Sequence, residues 1–475
     1  MVYVRSEASL STGENVNEEQ KACVETDGGA ASDRMWVRYL PLFLRKRFQS
    51  RHVFQEAVEN SGWLVGDKLL RMGIGLLVGV WVARYLGPAQ FGIMSYAGSV
   101  AGLAGAIAGL GIDSIVIRDL VRYPERSDEF LGTAFVLRFF SGLVCYLVML
   151  GIVIAIKPGE TLTHVIVAII GWTLTIGAFD TADLWFQSKV MSKYVVYARS
   201  AGFLISALVR LVLIFAKASL VAFAVTNLVE IGIGAIALLY AYYRKNGCLR
   251  RWKARLPLAK ELVHSGWPVL LGGIVSMICL RVDQVILGQI SNPKELGVYA
   301  AAVRVAELWF FLPSAIIASV FPNIIKAKEV DEEEFYKRLQ KLFNFLAFAG
   351  YAVAIPVTFL GPFVINLLYG KAYSGAAPML IILIWSDLFI NLAMARGAYL
   401  FAMNWTWILL GVNAVAAVVN IALNLVLIPH YGGTGAAVAS LLSYWVSAHG
   451  VCFLIKPLRR GGQMMTRALL WPKFW

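Results

Sequence analysis

Sixteen ionisable residues stand inside apolar runs of this sequence. The bases are Lys68, Arg71, Arg138, Arg199, Arg210, Arg281, Arg304 and Arg396; the acids are Asp67, Asp113, Asp180, Asp183, Glu230, Asp283, Glu307 and Asp387. A charge at the centre of a bilayer costs about 2.5–3.5 kcal/mol on insertion scales, so such residues are expected to face a protein interior or a water-filled cavity. Bases there can hold an anion. Acids there can change ionisation between two conformations and so couple movement to a proton or sodium ion.

Local spacing sorts them. Asp67 and Arg71 stand four apart and can pair on one helix face, as can Arg304 and Glu307, three apart. Arg281 and Asp283 are two apart and point to different faces. Each then needs a partner on another helix or a ligand, which makes Arg281 the preferred anion contact. Lys68 joins it, having no acid on its own face. Arg71, Arg138 and Arg304 complete the candidate anion set. Asp283, Glu307 and Asp387 are the candidates for ion coupling, ahead of Glu230. Asp113, Asp180, Asp183, Arg199 and Arg396 fall near the ends of their runs, where snorkelling or loop pairing accounts for them.

The elements that must position these groups follow from composition. Of 475 residues, 59% are hydrophobic and 15% charged, and the mean hydropathy is +0.68. Soluble domains carry roughly 45–50% apolar and about 25% charged residues. An ordinary soluble enzyme, a disordered chain and a coiled coil are excluded. Twelve apolar runs, at about 61–84, 91–117, 131–156, 163–187, 194–216, 219–243, 265–290, 297–325, 341–369, 375–400, 405–428 and 432–455, predict an all-α polytopic membrane protein with twelve transmembrane helices. An even number puts both termini on one side. With that side taken as cytoplasmic, the inner segments hold 30 Lys and Arg and the outer connections five, a strong orientation signal. The formal charge of +14 thus speaks for topology and not for nucleic acid.

The chain looks duplicated. Ser61-Gly62-Trp63 recurs as Ser265-Gly266-Trp267, and Pro88 with Gly92 recurs as Pro293 with Gly297. Two six-helix lobes in the same orientation would enclose a cavity between them. The expected organisation is a cytoplasmic segment over 1–60, an N-lobe over 61–243, a basic linker over 244–264, a C-lobe over 265–456 and a cytoplasmic tail over 457–475. Within the first segment, 1–33 read as a disordered acidic tail, with Met35 an alternative start. Residues 34–55 read as a basic amphipathic stretch lying on anionic membrane lipid. Gly98, Gly102, Gly105 and Gly109 give span two a close-packing face. Asn413, Asn420 and Asn424 in span eleven can hydrogen-bond across helices, and Asn420 and Asn424 share a face. Pro268, Pro313, Pro356 and Pro362 mark kinks. The five cysteines read as buried apolar residues without disulfides. No phosphate loop, nucleophile elbow or metal-spaced His/Cys cluster is present, so no cofactor, metal or enzymatic activity is expected.

The run Gly62-Trp63…Asp67-Lys68-Leu69-Leu70-Arg71, then Val82-Ala83-Arg84-Tyr85-Leu86-Gly87-Pro88…Phe91-Gly92, resembles Wzx-type polysaccharide flippases. Arg281-Val282-Asp283-Gln284-Val285-Ile286-Leu287-Gly288 with Gly297-Val298-Tyr299 resembles the same family, as does Asn424-Leu425…Pro429…Tyr431-Gly432-Gly433-Thr434-Gly435-Ala436-Ala437. The resemblance covers 61–456. It implies a V-shaped, two-lobed carrier of the superfamily that holds multidrug MATE antiporters and the lipid II flippase. It also implies transfer of an undecaprenyl-diphosphate-linked oligosaccharide from the cytoplasmic to the outer leaflet of a bacterial inner membrane, for O-antigen or exopolysaccharide synthesis. A monomer is expected, working beside a polysaccharide polymerase and chain-length machinery. A cation-coupled multidrug antiporter of the same fold is the main alternative; it would want acids without compensating bases. A membrane polymerase would need a large outer loop, and the outer connections are short.

Overall fold

The computed structural model describes residues 52–246 and 249–471. The expected acidic tail, all six bases of the amphipathic stretch, Met35, Cys23 and Cys248 lie outside the described residues. The chain divides into two units, Met1–Gly62 and Trp63–Trp475. The second unit contains the cores, cavities and candidate site residues.

Among the described residues every regular element is helical. The main helices are α1 (His52–Ala108), α2 (Asp113–Arg122), α3 (Ser127–Ile156), α4 (Thr161–Gly171), α5 (Thr181–Ser188), α6 (Ser192–Phe215), α7 (Leu220–Asn246), α8 (Leu256–Ile290), α9 (Pro293–Glu307), α10 (Phe311–Val330), α11 (Glu332–Tyr369), α12 (Ala376–Ala402), α13 (Thr406–Trp445) and α14 (Arg459–Leu470). A chain this apolar must satisfy its backbone internally wherever water is excluded, and helices do so residue by residue.

Ten helical stretches of the described residues are long and apolar enough to cross a membrane. The expectation of twelve rests on counting two of them twice. Gly66–Arg122 has 57 residues and Thr406–Leu454 has 49. At 1.5 Å per residue these would run roughly 85 and 73 Å, against a hydrocarbon layer of about 30 Å. Both are broken by a glycine in the left-handed region: Gly87 at φ 70° and Gly432 at φ 53°. Only glycine takes that backbone without strain. At Gly432 the chain folds back on itself, since a Cβ on Gly435 would overlap the carbonyl of Leu427.

Three buried apolar clusters hold the unit together. One joins both halves: Val82, Phe91 and Ala97 pack with Tyr299, Tyr373 and Ala436. The Tyr373 hydroxyl donates to the Ala83 carbonyl at 2.7 Å. The other clusters each centre on one half, around Leu120, Phe130 and Phe186 and around Phe335, Phe343 and Met465. The shared cluster lies at the end carrying the short, base-poor connections. There the repeated Pro-x-x-x-Gly segments meet face to face. A Cβ on Gly92 would overlap the Pro293 carbonyl, and one on Gly297 would overlap the Pro88 carbonyl.

Two expectations about connections change. The stretch over 457–471 is largely a helix, α14, which buries Met464, Met465 and Ala468 and is tied down through Gln340 Nε2 to the Met464 carbonyl at 3.0 Å. The linker is docked as well, with Lys253 N donating to the Asp128 carbonyl at 3.1 Å. Cys145, Cys279 and Cys452 carry free thiols. The first of the broken spans to matter for chemistry is the fourth. Between α4 and α5 the chain passes through a short turn of helix and a 3₁₀ turn, Gly177–Asp180.

Candidate functional site

A cavity of about 260 Å³ lies between the two halves. The second arm of α1 supplies Ser95, Gly98 and Ser99, α7 supplies Asn227, and the second half supplies Arg281, Gln284, Arg304 and Glu307. Ser99 Oγ donates to Gln284 Oε1 at 2.9 Å across the halves. That pairing uses two residues absent from the candidate set. Gln284 follows Asp283 in a run where only charge drew attention.

The five anion candidates divide sharply. Lys68 is exposed, with its ammonium 5.2 Å from the centre of the Phe311 ring. Arg71 is held by Asp67 at 2.9 Å, as the spacing anticipates, and Ser200 Oγ donates to the same carboxylate at 2.5 Å. Arg138 is paired with Asp113 in a different cavity. Arg281 Nη1 lies 2.9 Å from Glu307 Oε1.

The last contact reverses an expectation. Helical spacing suggests that Arg304 pairs with Glu307, leaving Arg281 for an anion. Instead Glu307, the last residue of α9 before a 3₁₀ turn, is taken by Arg281 of α8. Arg304 turns the other way. Its guanidinium sits 4.7 Å from the centre of the Phe91 ring, and a Cβ on Gly79 would stand 3.2 Å from its Nη1. Among the described residues no carboxylate lies within ion-pair distance of it. Nearby, Arg210 is matched by Glu230 at 3.1 Å and by Thr226 Oγ1 at 2.9 Å. The cavity between the halves thus carries one uncompensated positive charge, on Arg304. A guanidinium presents a planar fork of donors suited to two phosphate oxygens at once.

The three ion-coupling candidates come together. Asp283, Glu307 and Asp387 line one small cavity of about 30 Å³ with Ser386, Ser440 and Tyr444. Asp283 is 5% exposed. It accepts from the Tyr299 hydroxyl, from Gln284 N at 2.7 Å and from Ser440 Oγ at 3.4 Å. One carboxylate oxygen of Asp387 is buried with no hydrogen-bond partner. Beside them Asn420 Nδ2 donates to Ser443 Oγ at 2.9 Å, and Asn424 Nδ2 to Asn420 Oδ1 at 3.0 Å, so the asparagines of span eleven do share a face. Among the described residues no group of three His, Cys, Asp or Glu is placed to hold a metal ion.

The first half holds a second cavity. Asp113 pairs with Arg138, and Asp180 and Asp183 pair with Arg199. Together they line a cavity of about 340 Å³, opened by the interruption of the fourth span at Gly177–Asp180. The sequence signal for it is Gly177 beside Asp180 and Asp183 in one run. Arg396 is 1% exposed and donates to the Ser447 carbonyl, which the π-helical turn Val446–Gly450 leaves available.

A family model for polysaccharide biosynthesis proteins matches residues 81–378, more than half of the chain. A probable flippase of Haloferax volcanii, AglR, is 25% identical over 405 residues, covering 80% of this chain and 79% of its own. Two solved structures share the fold. An inward-facing multidrug resistance MATE family transporter of the MOP superfamily superposes with a TM-score of 0.65 at 16% identity, covering 85% of this chain and 96% of its own. The lipid II flippase MurJ in an inward closed conformation also gives 0.65, at 14% identity, covering 85% and 90%. The fold is therefore common to carriers of quite different cargo, and the choice of cargo has to come from the cavity.

Proposed function

The chain belongs to the polysaccharide biosynthesis protein family, and we propose that it is a flippase for lipid-linked oligosaccharides. The cargo in this reading is an undecaprenyl-diphosphate-linked repeat unit, moved from the cytoplasmic to the outer leaflet of a bacterial inner membrane by a chain with both termini inside. The observation that carries it is Arg304: a guanidinium inside the cavity between the halves, without an acidic partner among the described residues, where a diphosphate can take two of its donors. Arg281 lies on the same wall but is occupied by Glu307 at 2.9 Å. Lys68, exposed beside Phe311, is suited to meeting the headgroup as it enters.

Movement follows the same geometry. The two halves adhere at the base-poor end through Gly92 and Gly297. Opening there and closing at the other end would carry the headgroup across while the lipid tail stays in the bilayer. Asp283, Glu307 and Asp387 sit at the wall of the C-lobe, where a proton or sodium ion could reset the carrier. Glu307 also lines the main cavity, so its occupancy by Arg281 can respond to cargo. A cation-coupled drug antiporter on this fold would want an unpaired acid in the main cavity; here the unpaired group has the opposite sign.

The test is Arg304→Gln. A charge-assisted hydrogen bond is worth about 1.5–3 kcal/mol, roughly 10–150-fold in affinity. The variant is expected to insert normally, to bind undecaprenyl diphosphate at least tenfold more weakly, and to stop surface polysaccharide while lipid-linked units accumulate in the inner leaflet. Wild-type affinity and normal polymer output from that variant would remove the diphosphate from Arg304.

A further inference from the structure

The cavity in the first half is a second built site. Its volume of about 340 Å³ falls in the range of roughly 300–1,000 Å³ usual for small-molecule pockets. It opens to solvent, since the Asp113 and Asp180 side chains are 56% and 44% exposed. Its charged groups are not free to take an anion. Arg138 is bound to Asp113 and stands 3.4 Å from Thr181 Oγ1. Arg199 Nη2 lies 2.7 Å from Asp183 Oδ2 and 3.8 Å from Asp180 Oδ2. Three carboxylates face two guanidiniums, which repels a phosphate.

Its reachable acceptors are the exposed carboxylates of Asp113 and Asp180, while Asp183, 4% exposed, holds Arg199 from within the wall. Gln187, exposed and lining the same space, adds an amide that both donates and accepts. Carboxylates and an amide that accept, beside guanidiniums and an amide that donate, match a molecule rich in hydroxyls, each both donor and acceptor, which is a sugar. The position suits one too. Gly98 lines the cavity between the halves and Gly105 lines this one. Both lie on the second arm of α1, seven residues apart, or about 10 Å along the helix. Between them Gly102 presents no side chain.

We propose that this cavity binds a sugar residue of the lipid-linked glycan while the diphosphate is held at Arg304, so that the first half reads the saccharide and the cavity between the halves reads the charge. The proposal rests on the flippase reading above and extends it to the recognition of cargo.

Two variants probe it on the full-length protein in lipid nanodiscs. Gly177→Leu fills the space sterically: a Cβ at Gly177 meets nothing within 4 Å, so the side chain starts into open space, and thermal unfolding checks that the variant is folded. Asp180→Asn alters an exposed acceptor of the lining. Two probes are used, with binding followed by native mass spectrometry. One is the lipid-linked oligosaccharide fraction extracted from a polymerase-deficient host; the other is undecaprenyl diphosphate without sugar. Both variants are expected to weaken binding of the glycosylated lipid at least tenfold and to change that of the bare lipid less than twofold. Arg304→Gln should weaken both probes alike. Unchanged binding of the glycosylated lipid to Gly177→Leu overturns the saccharide site. So does an equal loss of both probes in the two variants, which would assign the cavity to an ion or to the packing of the half. If Arg304→Gln leaves both probes at wild-type affinity, the diphosphate reading fails instead, and the first pair of variants still decides the second site.

Discussion

A charge inside a membrane protein is defined by what it fails to pair with. Three of the five anion candidates, Arg71, Arg138 and Arg281, are paired with Asp67, Asp113 and Glu307. Each gains structural definition and gives up its role as a lone anion contact. Arg304 lies against the Phe91 ring and the Gly79 backbone, and among the described residues no carboxylate is within ion-pair distance of it. The Arg281–Glu307 pair is 31% and 26% exposed, so cavity water screens it partly. Breaking it is expected to cost about 1–3 kcal/mol, less than a fully buried pair. Arg281→Glu and Glu307→Arg should each lower the thermal midpoint and transport. The double swap should recover at least half of the loss in midpoint, measured by thermal unfolding in detergent. Failure of the swap to recover anything would show that the two side chains do not act as a pair.

At the scale of elements, the breaks matter more than the helices. Left-handed Gly87 and Gly432 turn over-long helices back, and the interruption at Gly177–Asp180 opens a cavity where the sequence reads as one apolar span. The contact of Gly92 with Pro293 and of Gly297 with Pro88 is the duplicated motif meeting its own copy. Since neither glycine can take a Cβ without backbone overlap, Gly92→Val or Gly297→Val should part the two halves at that end. With the native cysteines replaced by serine, Asn227→Cys in the cavity is expected to react with an impermeant thiol reagent added from outside several-fold faster when Gly92→Val is present. Transport should fall at least tenfold. An unchanged labelling rate would show that this contact does not seal the cavity.

Within Trp63–Trp475 two halves pack against each other. They share a core at the base-poor end and touch again near the base-rich end, where a Cβ on Gly111 would overlap the Gly266 carbonyl. The charge asymmetry of 30 against five predicts that the base-rich end faces the cytoplasm. Alkaline phosphatase fused after Pro158 should therefore be active, and fused after Arg250 or at the C-terminus inactive. The opposite pattern would invert the direction of transport.

The amino-acid sequence by itself determined the class, because 59% apolar content in runs of about 20–30 residues admits no other solution. It also carried the recurring Pro-x-x-x-Gly segments and the list of charges from which any site must be built, because both are properties of spacing along the chain. Asp67 with Arg71 could be read as a pair because the helix supplies their geometry locally. Arg281 with Glu307 could not, for 26 residues and a helix junction separate them. Which guanidinium remains free, how three acids of α8, α9 and α12 converge on one small cavity, and that a second cavity exists at all were decided by tertiary packing. Pairing inside a membrane is settled by whichever partner lies nearest in space, and neighbouring helices compete there with neighbouring turns.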